Sequence, residues 1–405
     1  MLEGMEKPAA PNGSVESPEN GESDPKISLV RGGPFYRAQE AVRLIDDHRW
    51  NLGKRIIVAV VVAWVPVVLI TALFNFRVLP GLLTDYPINV RMLLGIPVLL
   101  AGQQLMDNVF RKIVRHIGHS GLLKSPDIAR LDKTLVTLVR LRDSAVPEAI
   151  MVFLVYIQTT AVVRHNASFA LPWAVSGMGA TLHPSAAGWY YGIVSLFVYQ
   201  FLLYLSVWKW FLWAGFLFRL SRLDLQVVPT HPDRHGGLGF LGMSSVALAP
   251  SVFVGAAVIG GMWRMQILRL GQHLINFKFS AIALVGVMLI IAFGPLVFFV
   301  PRLSKLRREG ILQYGILGQI HSTEFHRKWI LHRAGHEEEF LAAPEISALI
   351  DFESSFENIE KLQPFPFDKG SFVAVILSIA APMLPVVLAE IPLVEVLKGL
   401  LSAVK

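Results

Sequence analysis

Residues 56–76 read IIVAVVVAWVPVVLITALFNF and contain no Asp, Glu, Lys or Arg. About 20 apolar residues in a helix match the ~30 Å hydrocarbon layer of a bilayer, so this stretch predicts a transmembrane span. Pro66 does not argue against it, because neighbouring helices re-satisfy the backbone groups that a proline frees. Six further stretches of similar character follow, at about 91–108, 148–164, 187–208, 243–263, 279–300 and 371–389. Together they predict an all-α fold, a polytopic transmembrane helical bundle of about seven spans.

Composition agrees. Of 405 residues, 53% are hydrophobic and 17% charged, whereas a soluble domain carries about 25% charged residues. The chain has no cysteine. That excludes disulfides, zinc–thiolate sites, iron–sulfur clusters and cysteine nucleophiles. The formal net charge is +7, but the basic residues concentrate in particular connecting segments. They therefore read as determinants of membrane orientation, and no nucleic-acid partner is expected.

Orientation follows from where those residues fall. Segments 1–55, 109–147, 219–242 and 301–370 hold 28 Lys and Arg, against 8 in 77–91, 164–186, 264–278 and 390–405. The positive-inside rule then predicts a cytoplasmic N-terminus and an external C-terminus. The segment that fits least well is 264–278, which places Arg264, Arg269 and Lys278 outside.

Five regions follow from this reading. Residues 1–26, rich in Pro, Gly, Ser and Glu, predict a disordered tail. Residues 27–50 predict an amphipathic helix on the inner surface, with Phe35, Ala38, Val42 and Ile45 on one side. Residues 51–300 form the six-span bundle, with inner loops at 109–147 and 219–242. Within the first loop, a helix over 125–143 is predicted to pack under the bundle through Ile128, Leu131, Leu135, Leu138 and Val139. Residues 301–370 predict a cytoplasmic helical segment. Residues 371–405 hold the last span and an amphipathic tail. The fourth span reads as a helix running on to about residue 220, with Trp208, Trp210, Phe211 and Trp213 as an aromatic belt. Lys209 within it is expected to snorkel to headgroups.

Three groups of residues could carry chemistry. The first is intramembrane and polar: Gln103, Gln104, Asp107, Glu148, Gln158 and Gln200 are candidates for lining a pathway. Asp107 and Glu148 fall near the inner boundary, where water is expected to wet them. Gln103, Gln158 and Gln200 lie deeper, and interhelical hydrogen bonds alone would explain them. The second is the loop PTHPDRHGGLGF at 229–240, which admits three readings. It is a capped turn into the next span, or an anion or lipid-phosphate nest of Arg234, Gly236 and Gly237. The third reading is a metal set of His231, Asp233 and His235, whose alternation would point all three one way in an extended segment. No phosphate-loop Gly-Lys-Ser/Thr follows the glycines. The third group, His321, Glu324, His326, His332 and His336, loosely resembles a histidine-box layout. It lacks an adjacent His-His pair and reads as a solvated face.

The loop PTHPDRHGGLGFLG and the segment PFPFDKGSFVAVILSIAAPMLPVVLAEIPLVEVLKGLL resemble an uncharacterised family of bacterial multi-pass inner-membrane proteins. Together they cover about 50 residues. The resemblance implies a bacterial inner-membrane location and a helical architecture; it implies no substrate, cofactor or catalytic residue. The leading expectation is movement of a small solute or ion, with the lipid bilayer and further copies of the chain as partners. A membrane-embedded metal-dependent or lipid-modifying enzyme is the second class, disfavoured by the lack of a recognisable catalytic set. A scaffold or sensor that binds a cytoplasmic partner is the third.

Overall fold

The apolar run at 56–76 folds as one helix, α2 (Leu52–Phe74), preceded by the short α1 (Pro34–Ala41). The structure, a computed structural model, describes residues 28–45, 51–165, 172–176, 183–331 and 344–390. After α2 come α3 (Tyr86–His119), then α4 (Ser125–Asp143) and α5 (Ala145–His165), with a bend of 41° between the last two. A two-stranded antiparallel pair, Val175–Ser176 with His183–Pro184, leads into α6 (Ala186–Ser221). The chain continues through α7 (Gly239–Leu270), α8 (Leu274–Leu331), α9 (Pro344–Glu360) and α10 (Lys369–Val387). Among the described residues, six helices are long and apolar enough to cross a membrane, and α4 with α5 makes a seventh if counted as one bent span. The chain is an all-α, multi-pass membrane protein.

Contacts between connections sort them into two ends. At one end, the base, Leu123 bridges Leu225 and the Gln363 N–H donates to the Arg234 carbonyl at 2.8 Å. Residues 28–35 join the same end through the Asp143 and Glu148 carboxylates. At the other end, the top, Trp173 Nε1 donates to Asp85 at 3.3 Å and His273 meets Glu390 at 3.2 Å. Leu123 lies at the base and Trp173 at the top, so the chain must pass from one end to the other between them. That passage is α4–α5, and it makes seven passages among the described residues when the bent pair is taken as one span.

Two cores fill the bundle. The base-side core centres on Phe110, Trp213, Phe216, Leu241 and Phe299, and the top-side core on Met92, Ile96, Tyr199 and Val254. Close helix approach depends on small residues. A Cβ added at Gly102 of α3 would lie 2.9 Å from Pro250 of α7, and one at Gly95 would lie 2.9 Å from Tyr199 of α6. Gly102→Leu should therefore destabilise the purified protein by about 1–3 kcal/mol, the usual cost of overpacking. Thermal unfolding in detergent measures it, and an unchanged midpoint would contradict this packing.

Several boundaries differ from the sequence reading. α8 carries its span straight into the polar 301–370 segment as one 58-residue helical run. Pro295 stands in the first turn of a 3₁₀ stretch at Gly294–Phe299 and Pro301 in the first turn of the helix that follows, positions where a proline costs little. Among the described residues of the 27–50 segment, helix forms only at Pro34–Ala41, and Arg43 is left-handed at φ 55. Val42 is exposed, while Phe35 packs edge-on to Phe201 at 4.9 Å. Wide π turns open α3 at Val90–Gly95 and α6 at Tyr191–Ser195. The tail beyond Glu390 lies outside the described residues.

Candidate functional site

Residues 28–39 form a strap across the base of the bundle. Gly32 and Gly33 have φ of 148 and 86, a backbone region open chiefly to glycine. A Cβ at Gly33 would also lie 2.8 Å from Glu148 Oε1. This turn feeds the strap's amides to the bundle. Gly33 N donates to Asp143 Oδ1 at 3.0 Å and Phe35 N to Glu148 Oε2 at 2.8 Å. Arg142 grips Asp143 with Nε and Nη2, both at 2.8 Å, and also donates to the Ser28 carbonyl. Ser28 Oγ in turn donates to Asp107.

Asp107 is fully buried, so the expectation that water wets it is corrected. Its carboxylate is 2.9 Å from Arg111 Nη2 and 3.9 Å from Arg31 Nε. Those guanidinium groups and the Ser28 hydroxyl replace the lost solvation. Lys209 is also corrected. It is only 5% exposed and points into a small cavity under the strap, where Gln103, Arg55, Arg142 and Glu148 line the wall. A helix continuing to Ser221 carries Lys209 well inside the bundle, too deep to snorkel. Arg55 is held by Gln39 Oε1 at 2.8 Å.

The other intramembrane candidates divide. Gln103 is buried, lines this cavity and leaves Nε2 without an acceptor. Gln104 is half-buried. Gln200 is buried with Oε1 unpartnered, but it lies outside the cavity. Gln158 is corrected: it lies on the exposed face of α5 and accepts from the Tyr204 hydroxyl. Arg31, Arg55, Arg142 and Asp143 were missed. Their signal was position: Arg55 abuts the first apolar run, and Arg142-Asp143 stands five residues before Glu148.

A second polar set lies at the top. Arg91 Nη1 donates to the Tyr191 hydroxyl at 3.2 Å, and this contact joins the two π turns. Such turns recur at functional sites. Asp85 is buried beside it, and burial pushes its carboxyl above the ordinary range despite the Trp173 N–H and Arg269. Contacts of Gly95 with Tyr199 and of Phe110 with Trp213 fix α3 beside α6. From Gly95 to Gln103 is therefore about 12 Å along the axis. Leu99, Leu100 and Leu202 are buried in this interval. A mainly apolar stretch, which also holds the buried Gln200, thus separates the two polar levels.

The 229–240 loop resolves differently from a metal set. Arg234, Gly236 and Gly237 all take positive φ, at 56, 64 and 91, so the loop is tightly curled, not extended. Its amides do form a nest, but the anion inside is the chain's own. The Asp233 carboxylate accepts from the N–H groups of His235, Gly237 and Gly239 at 2.8, 3.1 and 2.9 Å. Burial opposes ionisation of Asp233, but the three N–H groups and His231 outweigh it and hold the carboxyl below its usual value. His231 Nδ1 lies 2.8 Å from Asp233, while His235 Nδ1 faces the Gln363 carbonyl at 3.4 Å. Among the described residues no three His, Asp or Glu are grouped to hold a metal ion. His332 and His336 lie outside the described residues, and Glu324 and His326 are exposed.

The fold and these sites define a class: a multi-pass helical membrane protein with a strapped, charge-lined cavity at one end. No protein-family model, curated protein or solved structure matches the chain.

Proposed function

We propose that the protein moves a small solute or ion across the membrane along the α3–α6 interface, in an N-in, C-out orientation in a bacterial inner membrane. The observation that carries this reading is Lys209. A lysine buried in a membrane bundle with no ion pair among the described residues is costly, and such groups usually mark ion or substrate pathways. A second polar set, half-buried Arg91 with buried Tyr191, lies on the same interface beyond the apolar stretch. Two polar levels separated by a short, mainly apolar segment suit a closed pathway, because hydrophobic constrictions gate by dewetting. The base carries the Lys- and Arg-rich segments and so belongs on the cytoplasmic side.

Reconstitution into liposomes tests this. Vesicles holding the wild-type protein should dissipate a gradient of a small inorganic ion faster than empty vesicles. Lys209→Met should change that rate by about tenfold or more, equivalent to about 1.4 kcal/mol in the pathway. Vesicles as tight as empty ones to protons, alkali cations and halides would defeat the reading. Reporter fusions should place residues 15, 130 and 330 inside and 405 outside.

A further inference from the structure

On its inner side α5 packs on α6, where Met151 and Val155 meet Phe201 and Leu205. Beside that contact Ile150, Leu154, Ile157, Gln158 and Ala161 are exposed. Their spacing of three and four residues puts all five on one stripe of the helix. We propose that this stripe is a dimer interface, where α5 packs against α5 of a second copy of the chain and the two Gln158 side chains hydrogen-bond to each other. The inference concerns assembly and does not rest on the transport reading.

Depth is the first ground. Glu148 of α5 meets the strap at the base, and Gln158 stands ten residues further along the same helix. Ten helical residues rise about 15 Å, half of the ~30 Å hydrocarbon layer. Gln158 is therefore an exposed carboxamide near the middle of the membrane. Its Oε1 accepts from the Tyr204 hydroxyl, and no hydrogen bond joins its Nε2 to another described residue. In hydrocarbon no water replaces the missing acceptor, so an amide left this way is costly.

Complementarity names the occupant. Copies inserted in one orientation hold each residue at a common depth, so a two-fold axis along the membrane normal sets Gln158 opposite Gln158. A carboxamide is both donor and acceptor, and its oxygen has two lone pairs. Each Nε2 can then donate to the other copy's Oε1, which still accepts from Tyr204. An unrelated helix would have to bring a polar group to the same depth; a second copy does so by construction. The other four stripe residues carry no charge, so the two faces meet without like-charge repulsion.

Apolar contact alone selects no partner here, because lipid tails are as apolar as leucine. Small residues and polar side chains supply the preference in a membrane. Ala161, one turn beyond Gln158, lets the two backbones approach closely, and the amide pair fixes the register.

The experiment uses the full-length chain, which has no cysteine of its own. Single cysteines are placed along α5, and the protein is reconstituted into liposomes and oxidised. Disulfide-linked dimer should form from Leu154→Cys, Ile157→Cys and Ala161→Cys. It should not form from Val152→Cys or Tyr156→Cys, which are exposed on the opposite side of α5. In a second arm, copies labelled with donor and acceptor fluorophores at Ser120→Cys, exposed at the base, report association by energy transfer as lipid is added. Gln158→Leu should dissociate at about tenfold less lipid than the protein with Gln158, equivalent to about 1.4 kcal/mol. The Ser120 label leaves α5 intact, so a Gln158 variant that fails to fold does not remove the test. Absence of energy transfer in protein-dense vesicles overturns the proposal. So does cross-linking from Val152→Cys or Tyr156→Cys as readily as from the stripe, or an unchanged midpoint for folded Gln158→Leu. A dimer joined through another helix gives energy transfer without cross-links from the stripe, and that also overturns it. None of these readouts measures flux, so their failure leaves the transport reading as it stands.

Discussion

Asp107→Ala is expected to cost about 3–5 kcal/mol of stability, the largest loss of any single polar substitution in the bundle. The side chain is fully buried, and its carboxylate lies beside Arg111 and Arg31 while accepting from Ser28. Removing it takes a buried negative charge away from two guanidinium groups. It also frees Ser28, through which the strap meets the bundle. Asp107→Asn keeps the shape and loses the charge, so it should recover only part of the loss. Gln158→Ala, on the exposed face of α5, should stay within about 0.5 kcal/mol of wild type. Denaturant or thermal unfolding in detergent separates these cases. A loss below about 1 kcal/mol for Asp107→Ala would mean that water reaches the cluster after all.

Asp233→Ala carries the second large effect, about 3 kcal/mol. A lone N-cap is worth about 1 kcal/mol. Here three backbone N–H groups lose their acceptor together, and each buried amide left unpaired costs about 1–3 kcal/mol. His231→Ala removes one exposed neighbour and should cost under about 1 kcal/mol. The effect has a pH signature. The folded-state carboxyl titrates below its ordinary value. Its contribution is therefore fully present above about pH 4, the unfolded value, and is lost as pH falls through the folded one. Wild type should lose stability on acidification in that window, and Asp233→Asn should lose less. Equal acid sensitivity of the two would place the amides on another acceptor.

The apolar runs were legible because the bilayer imposes one length on every span. The ends of the helices were not. Hydropathy marks where a helix leaves lipid, not where it stops, so α8 runs 30 residues beyond the expected boundary at 301, to Leu331. The loop at 229–240 was legible as a nest, and its composition was right for an anion. Only the fold shows that Asp233 fills it. Asp107 and Glu148 were marked in advance, but Ser28, Arg31 and Phe35 reach them from the strap, which is far away in sequence. Lys209 was read from its aromatic neighbours as an interfacial lysine. Its burial depends on which face of α6 the strap covers, and no local pattern encodes that.

The central structural claim is that the chain passes through the bundle seven times, with α4–α5 as one bent passage. A chain without cysteine is ready for single-cysteine mapping. Ser120 and Gln226 are exposed at the base, and Asn75, Ser176 and Gln272 at the top. Each is changed singly to Cys and labelled with a membrane-impermeant maleimide in right-side-out and inverted vesicles. Ser120→Cys and Gln226→Cys should label from one side only, and Asn75→Cys, Ser176→Cys and Gln272→Cys only from the other. Ser120→Cys and Ser176→Cys reacting from the same side would contradict the account, because α4–α5 would then return to the face it left.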